Sequence, residues 1–264
     1  MNKKIDIIDS HFHIWDLERQ NLPWLEDCPP IAKSYSIDDY KNMYKNFDGI
    51  NFLGGVYVEV DSDNPILEDE IVSKIVKNEE KILARVPRAK VSPTMRIPVF
   101  SNGVREPLHV PSAPKGRCLE DGFVEGIKEL TKKNLSFDSC NRVDELSDLV
   151  KLMEKVPNAK VVLDHVGNVE KLDEEYKENM KALAKFPNLY VKVSGYPTED
   201  KEFVRDLLSF IKETFDAKRL MYASNWPVVE LYSNFDEHLE ILIDTFGDDE
   251  DFFKNNAKEC YNIF

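Results

Sequence analysis

Several features that identify common classes of protein are missing from this sequence. No stretch approaches the roughly 18 consecutive apolar residues that a membrane-spanning helix needs. Lys3 and Lys4 near the start are followed at once by acidic residues and histidines, so we expect no signal peptide. We therefore expect a cytoplasmic protein.

Cysteine is scarce, and the four cysteines do not form a recognisable set. Cys28, Cys118, Cys140 and Cys260 are far apart in the sequence and make no C-x-x-C pair. Dispersed cysteines of this kind are typical of reduced thiols in intracellular proteins. We assign no function to them at this point.

Positive charge is also in short supply. The 264 residues include 35 Lys and Arg against 49 Asp and Glu, which gives a net charge of −14. A surface this acidic repels the phosphates of nucleic acids and anionic lipids. We expect a small-molecule substrate, and neither nucleic acid nor a membrane as a partner; pairing with a second copy of the chain stays open.

What the sequence does contain is a regular alternation of short apolar runs and helical patterns. Several of the runs are almost wholly apolar, which is typical of strands in a parallel sheet that is covered on both faces. The eight predicted strands are Ile5–Asp9, Gly55–Val60, Ile82–Val86, Gly103–Arg105, Leu135–Asp138, Lys160–Asp164, Leu189–Ser194 and Arg219–Ala223.

Helical spacing of apolar residues follows most of these strands, as in the segment VDELSDLVKLMEKV that starts at Val143. Repeated β-α units with eight strands predict an α/β fold, a (β/α)8 TIM barrel formed by residues 1–264 as a single domain. An open, doubly wound sheet is the alternative, but no G-x-G-x-x-G turn supports it. The third β-α unit is expected to lack its helix, because residues 87–102 carry three prolines and no helical pattern.

Polar side chains stand where the predicted strands end, and this is the face of a TIM barrel that carries the active site. His11 and His13 end the first strand and point the same way, because residues i and i+2 share a face. Three of the five histidines stand at strand ends. The polar residues at these ends are His11, His13, Glu59, Arg105, Asp138, Asp164, His165, Ser194, Ser224 and Asn225.

A set of short motifs occurs in order from end to end of the chain: DSHFHIWD, GVREPL, SFDSC, VVLDHVGNV, YVKVSGYPTE, RLMYASNWPV and NNAKECYNI. In this order they resemble the amidohydrolase-related (amidohydrolase-2) family, specifically its branch of sugar-lactone and pyrone-dicarboxylate lactonases. Each motif is weak alone, but the ordered set is specific. The resemblance implies a TIM-barrel hydrolase that opens a lactone ring with water.

The resemblance also implies roles for individual residues. His11, His13 and His165 would line the site and either polarise the substrate carbonyl or hold a metal, and Arg105 would hold a substrate carboxylate or polarise an oxygen. The cofactor is then one divalent ion such as zinc, or none, and both alternatives stay open. Glu59 could add a carboxylate if the end of its strand faces inward.

Asn225 departs from the family pattern, in which an aspartate of the motif GSDWP activates the water. An amide has no useful basicity near neutral pH, so it cannot take the proton. The chain is then a hydrolase in which His165, Glu59 or His109 replaces the base, a catalytically impaired relative that binds its ligand without turnover, or a protein with altered chemistry on another substrate. An amidohydrolase-type decarboxylase is a further alternative.

Two tryptophans and two histidines remain to be placed. His109 is a candidate substrate contact because its loop follows Arg105. Trp226 is a candidate for stacking on the substrate, although a wall or core position explains it equally well, and Trp24 would cover the cavity or pack in its loop. His238 lies in a helical pattern, and we expect it on a solvated face.

Overall fold

Parallel strands alternate with helices along the whole chain. The computed structural model describes residues 4–264. The strands are β1 Ile5–Phe12, β2 Ile50–Val58, β3 Ile82–Val86, β4 Gly103–Pro107, β5 Ser136–Cys140, β6 Val161–Leu163, β7 Leu189–Val193 and β8 Leu220–Tyr222. The helices are α1 Ile37–Met43, α2 Pro65–Val76, α3 Asp121–Lys132, α4 Leu146–Lys155, α5 Glu174–Leu183, α6 Lys201–Thr214, α7 Phe235–Phe246 and α8 Asn256–Cys260.

The strands form two parallel sheets in chain order, β1-β2-β3 and β4-β5-β6-β7-β8. Single bridges, rather than continuous ladders, join the two sheets. Arg88 bridges Arg105 on one side, and Phe12 bridges Trp226 on the other. The predicted parallel α/β barrel is therefore confirmed, with two seams where its short strands do not pair along their length.

Side-chain contacts reinforce the seam between β1 and β8. Ser10 Oγ donates to the Tyr222 carbonyl at 2.6 Å, and Asp9 accepts the Ser224 amide at 2.9 Å. The same Asp9 carboxylate also accepts from the hydroxyls of Tyr40 and Tyr44, which tie the seam to α1. A buried carboxylate needs such partners to offset its lost hydration.

Five helices, α1, α2, α5, α6 and α7, start where an Asp, Asn or Ser side chain caps the free backbone amides. Ser36 and Asp39 form a complete capping box at α1. Asp200 accepts from two amides of α6, and Asn234 caps α7 in the same way. No helix of the described residues combines the length and the apolar character that a crossing of the bilayer requires.

The segment between β3 and β4 carries no helix, as its prolines predict, and Val91 and Ser92 of this segment pack directly against α3. Gly126 makes this contact possible, because a Cβ there would lie 2.7 Å from the Ser92 amide nitrogen and from Val91 Cγ1. The backbone of the helix-free segment thus occupies space that a helix side chain would otherwise fill.

An apolar cluster fills part of the barrel interior. It includes Ile8, Val56, Val58, Val86 and Val162, all of which are buried. Tyr261 belongs to the same cluster, and its hydroxyl donates to Asp138 at 2.6 Å.

We predict that Gly126→Ala lowers the free energy of unfolding by about 1–3 kcal/mol, because the added methyl group overpacks the contact with Ser92. Urea unfolding measures the change. Gly122→Ala in the same helix is the matched control, since nothing lies within 4 Å of the position that its methyl group would take, and better helix propensity makes it neutral or stabilising by up to about 1 kcal/mol. Equal effects of the two substitutions would contradict the packing argument.

Candidate active site

A cavity of about 420 Å³ opens at the carboxyl ends of the strands. Its volume lies within the roughly 300–1,000 Å³ that is typical of small-molecule sites. The side chains that line it are His13, Trp24, Glu59, Val60, Asp61, Arg105, Pro107, His109, Val110, Pro111, His165, Asn168, Gly195, Asn225, Val228 and Tyr232. Six residues proposed from the sequence therefore meet here: His13, Glu59, Arg105, His109, His165 and Asn225.

The two histidines of the first motif point the same way, as the spacing predicts. His11 Nε2 lies 3.0 Å from His13 Nε2, while Phe12 between them stacks on Tyr40 outside the sheet. His11 is wholly buried and lies beneath His13, which lines the cavity. A shift of register between Asp9 and Phe12 aims Asp9 at Tyr40 and His11 at the interior.

Lys192 in the middle of β7 is a residue of this site that the sequence analysis missed. Its ammonium is wholly buried and contacts Asp138 Oδ2 at 2.6 Å, Asp164 Oδ1 at 3.0 Å and His11 Nδ1 at 3.1 Å. An ammonium has three protons, so three acceptors satisfy it completely. The available signal was a lysine inside the apolar strand LYVKV.

The lysine sets the protonation pattern of the histidine pair. Because the ammonium donates to His11 Nδ1, the proton of the neutral His11 ring is on Nε2, which then donates to His13 Nε2. His13 Nδ1 donates in turn to the Val58 carbonyl at 2.9 Å. Burial, and next the charge of Arg105, lower the pKa of His13 to about 3, so this chain of hydrogen bonds is neutral at physiological pH.

Arg105 lies between two buried carboxylates. Its Nη1 is 3.1 Å from Glu59 Oε1, and its Nε is 3.2 Å from Asp164 Oδ2. Burial raises the pKa of Asp164, but the charges of Lys192 and Arg105 outweigh it and hold this pKa well below its usual range. Asp164 is therefore an anion held between two cations. The carboxylate of Glu59 faces the cavity beyond the end of β2.

His165 is held in a tight turn directly after β6. Its φ of 56° is left-handed, and its Nδ1 lies 2.9 Å from Ser194 Oγ. Gly195 leaves room for the ring, because a Cβ there would approach His165 Cβ to 2.4 Å. Burial and the nearby charges lower the pKa of His165 well below its usual value, so the ring is neutral.

Asn225 completes the floor of the cavity. Its amide nitrogen Nδ2 donates to the Tyr232 hydroxyl at 3.0 Å, and its backbone N–H donates to the His11 carbonyl at 2.9 Å. Its Oδ1 is buried and has no hydrogen-bond partner among residues 4–264. An unsatisfied buried acceptor in a cavity is a position where a water or a substrate hydroxyl gains a hydrogen bond.

The residues present fit a divalent metal poorly. Ligand atoms of His11, Asp164 and His165 lie within 4.8 Å of one another, a set that differs from the expected His11, His13 and His165. The Asp164 oxygens already face Lys192 and Arg105, and His11 Nδ1 accepts from Lys192. A dication at this position would lie beside two fixed cations, which Coulomb repulsion opposes.

Two expectations need correction. His238 is not on a solvated face: it is wholly buried, with Nε2 2.9 Å from the Ala223 carbonyl, because α7 turns that side toward β8. Trp226 does not line the cavity but packs among aromatic rings, 5.1 Å from Tyr35 between ring centroids. Trp24 does line the cavity, and its indole N–H donates to the Val60 carbonyl.

We predict that Lys192→Met lowers the free energy of unfolding by about 3–5 kcal/mol, because it leaves the buried Asp138 carboxylate without a cation and removes one of the two cations beside Asp164. Urea unfolding again measures the loss. Lys128→Met is the matched control: Lys128 pairs with Glu125 on an exposed face of α3, and its removal costs less than about 1 kcal/mol. A Lys192→Met protein as stable as the control would contradict the proposed charge balance.

Known proteins resemble this chain over most of its length. An amidohydrolase from Bifidobacterium longum subsp. infantis of known structure is 46% identical, with a TM-score of 0.91, and the match covers 99% of this chain and 100% of that one. The L-fucono-1,5-lactonase of Burkholderia ambifaria is 27% identical over 88% of this chain and 83% of its own length. An amidohydrolase structure from Burkholderia multivorans with bound zinc shares the fold at 20% identity and a TM-score of 0.84, over 98% of this chain and 99% of that one.

The family model described as amidohydrolase matches residues 100–263, which include Arg105, His165 and Asn225. The match covers more than half of the chain, and the relative at 46% identity extends the likeness to its start. The chain belongs to the amidohydrolase family.

Proposed function

We propose that this protein is a hydrolase that opens a small sugar-acid lactone or a related cyclic ester with water. The observation that carries the proposal is the cavity in which neutral imidazoles, a guanidinium and an unsatisfied amide oxygen converge. The similarity to an L-fucono-1,5-lactonase supports a sugar-acid lactone as the substrate class.

The residues that line the cavity suit the parts of such a reaction. Arg105 has five N–H donors, more than its contacts with Glu59, Asp164 and Cys140 occupy, so a donor stays available to a lactone oxygen. His165 can donate a hydrogen bond to the carbonyl oxygen as negative charge develops on it. Asn225 Oδ1 accepts a hydrogen bond from the attacking water and orients it without removing its proton.

We propose further that the site functions without a resident metal. The Lys192 ammonium supplies the positive charge next to Asp164 and His11 that a metal ion would otherwise supply. It also determines that the His11 Nε2 carries a proton, and a protonated nitrogen has no lone pair for a metal.

Binding without turnover is the second candidate, and Asn225 is the observation that favours it. The loss of a general base typically removes a factor of about 10²–10⁴ in rate. A protein with this loss and no replacement base would still bind the lactone in the same cavity.

The experiment that separates these candidates is a panel of aldonolactones, including L-fucono-1,5-lactone, in which hydrolysis is measured by proton release. We expect turnover by the unmodified protein and a loss of at least about 10²-fold in His165→Ala. Gly122→Ala, which lies in α3 away from the cavity, is the control and should keep full activity.

Each assay is repeated after dialysis against a chelator, with the metal content of the protein measured alongside. Unchanged activity in metal-free protein supports the proposal for Lys192, whereas activity that returns only with zinc would contradict it. Lactone binding detected by calorimetry with no proton release by the unmodified protein would favour the second candidate.

We predict that Asn225→Asp raises kcat for the best lactone, by about tenfold or more, because a carboxylate can take the proton of the water that the amide only orients. The Tyr232 hydroxyl can donate to the new carboxylate, so the contact between the two side chains is kept. Asn225→Ala is the matched control and should lower kcat, since it removes the acceptor altogether. A fall of activity to background in Asn225→Asp would contradict the role assigned to this position.

A further inference from the structure

The proposed reaction needs a group that accepts the proton of water, and most polar groups of the cavity are already engaged. Glu59 and Asp164 are bound by Arg105, Asp61 is paired with Arg88, and His13 Nε2 accepts from His11. Asn225 has no basicity, and the pKa of His165 is held well below its usual value. His109 is the remaining basic side chain in the lining.

His109 has an unusual neighbour, the thiol of Cys140. Cys140 is the last residue of β5, and it pairs in register with Pro107 of β4. Because the chain leaves β4 at Pro107, His109 lies two residues beyond a position directly beside Cys140. The imidazole lies beside the thiol, close enough that each group shifts the pKa of the other.

The surroundings of Cys140 suit a thiolate. Asn168 Nδ2 donates to Sγ at 3.4 Å, the His109 ring lies beside the thiol, and the guanidinium of Arg105 lies nearby. The sulfur is buried, with 1% of the residue exposed, so bulk water does not screen these contacts. Thiolates are stabilised by arrangements of donors and cations of this kind.

Some of the groups around Cys140 and His109 raise the pKa values of these two residues, and others lower them. Burial and Asp164 raise the pKa of Cys140, but His109, Arg105 and the hydrogen bond from His109 outweigh them and lower it to about 7. Desolvation and Arg105 lower the pKa of His109, and the sulfur of Cys140, together with Glu59, outweighs them and raises it. A raised pKa makes the imidazole a stronger base near neutral pH.

We propose that His109 is the general base of this hydrolase and that the Cys140 thiolate is the positioning group that orients its ring and stabilises its protonated form. The proposal rests on the lactone hydrolysis proposed above. It assigns to Cys140 the part that a carboxylate plays beside the histidine of a hydrolytic triad.

One proton moves to His109 and back during the reaction. An O–H bond of the water breaks and its proton moves to the free ring nitrogen of His109, while the water oxygen bonds to the lactone carbonyl carbon. When the tetrahedral intermediate collapses, the ring C–O bond breaks, and His109 returns the proton to the departing alkoxide oxygen. Cys140 forms no covalent bond; it accepts a hydrogen bond from His109 throughout. The product is a hydroxy acid, which then ionises and releases the proton that the assay detects.

The first test is a titration of the thiolate by its ultraviolet absorbance, which needs no substrate. We expect a thiolate that appears with a midpoint of about 7 and is lost in Cys140→Ser. In His109→Ala the midpoint should move to higher pH, because a positive neighbour and a hydrogen-bond donor are gone. Cys118→Ser is the matched control: this buried thiol has a pKa raised to about 12 by burial, so the titration near neutrality should be unchanged.

The second test is the pH profile of kcat/KM on the best lactone. His109→Ala should lose about 10²–10⁴ in rate. A base is active when it is unprotonated, so activity rises with pH through the pKa of His109. Cys140→Ser removes the anion that raises this pKa, so the acidic limb should move to lower pH while kcat falls and KM stays close to that of the unmodified protein. If Cys140 had only a structural role, Cys140→Ser would leave the acidic limb of the pH profile at the same pH.

The outcomes separate this inference from the proposed function. A thiol that titrates near its ordinary value would overturn the pair, whatever the lactone assay shows. Full turnover in His109→Ala would overturn the role of His109 and leave the lactonase intact. If the unmodified protein turns over no lactone while its thiolate titrates near neutrality, the proposed function is wrong. The role of His109 as general base is then wrong too, whereas the pairing of His109 with the Cys140 thiolate is confirmed.

Discussion

The buried ammonium of Lys192 is the interaction on which the site depends. It lies among Asp138, Asp164 and His11, and each of these belongs to a different part of the barrel: β5, the turn after β6, and β1. Its three protons therefore tie three elements of the interior together. The same contacts determine which nitrogen of each neighbouring histidine carries a proton. Lys192 therefore both stabilises the barrel interior and sets the protonation of the histidines.

Charge inside the barrel is arranged in an alternating order. Lys192 forms ion pairs with Asp138 and Asp164, and Arg105 forms ion pairs with Asp164 and Glu59. Each buried charge thus has an opposite neighbour, which is the condition under which burial of ions is tolerated. Paired charges and the neutral imidazoles of His13 and His165 therefore line the cavity together, and a neutral imidazole can both donate and accept a proton.

Much of this arrangement could be predicted from the sequence. The spacing of His11 and His13 placed them on one face, and motif order together with barrel geometry brought His165, Arg105 and Asn225 to one end. The partners could not be predicted, because contacts such as that of Lys192 with Asp138 depend on which strands are adjacent and which way each side chain points. A single shift of register in β1 reverses that direction between Asp9 and His11.

The errors have physical reasons as well. His238 follows helical spacing, and only the docking of α7 on β8 shows that its side is covered. The role proposed for Cys140 gives no signal in the sequence, since a thiol is neutral in most surroundings and becomes a thiolate only where tertiary contacts supply donors such as Asn168. Sequence patterns show which face or end of a helix or strand a residue occupies, whereas the packing of the elements against each other determines which residues its side chain contacts.

The contact of Tyr261 with Asp138 joins a residue that follows strands β1 to β8 in the sequence to the centre of the barrel. The ribosome makes Tyr261 after all of these strands, so the strands can pair before Asp138 receives this donor. Docking of α8 and Tyr261 onto the barrel is thus a late step in the completion of its interior.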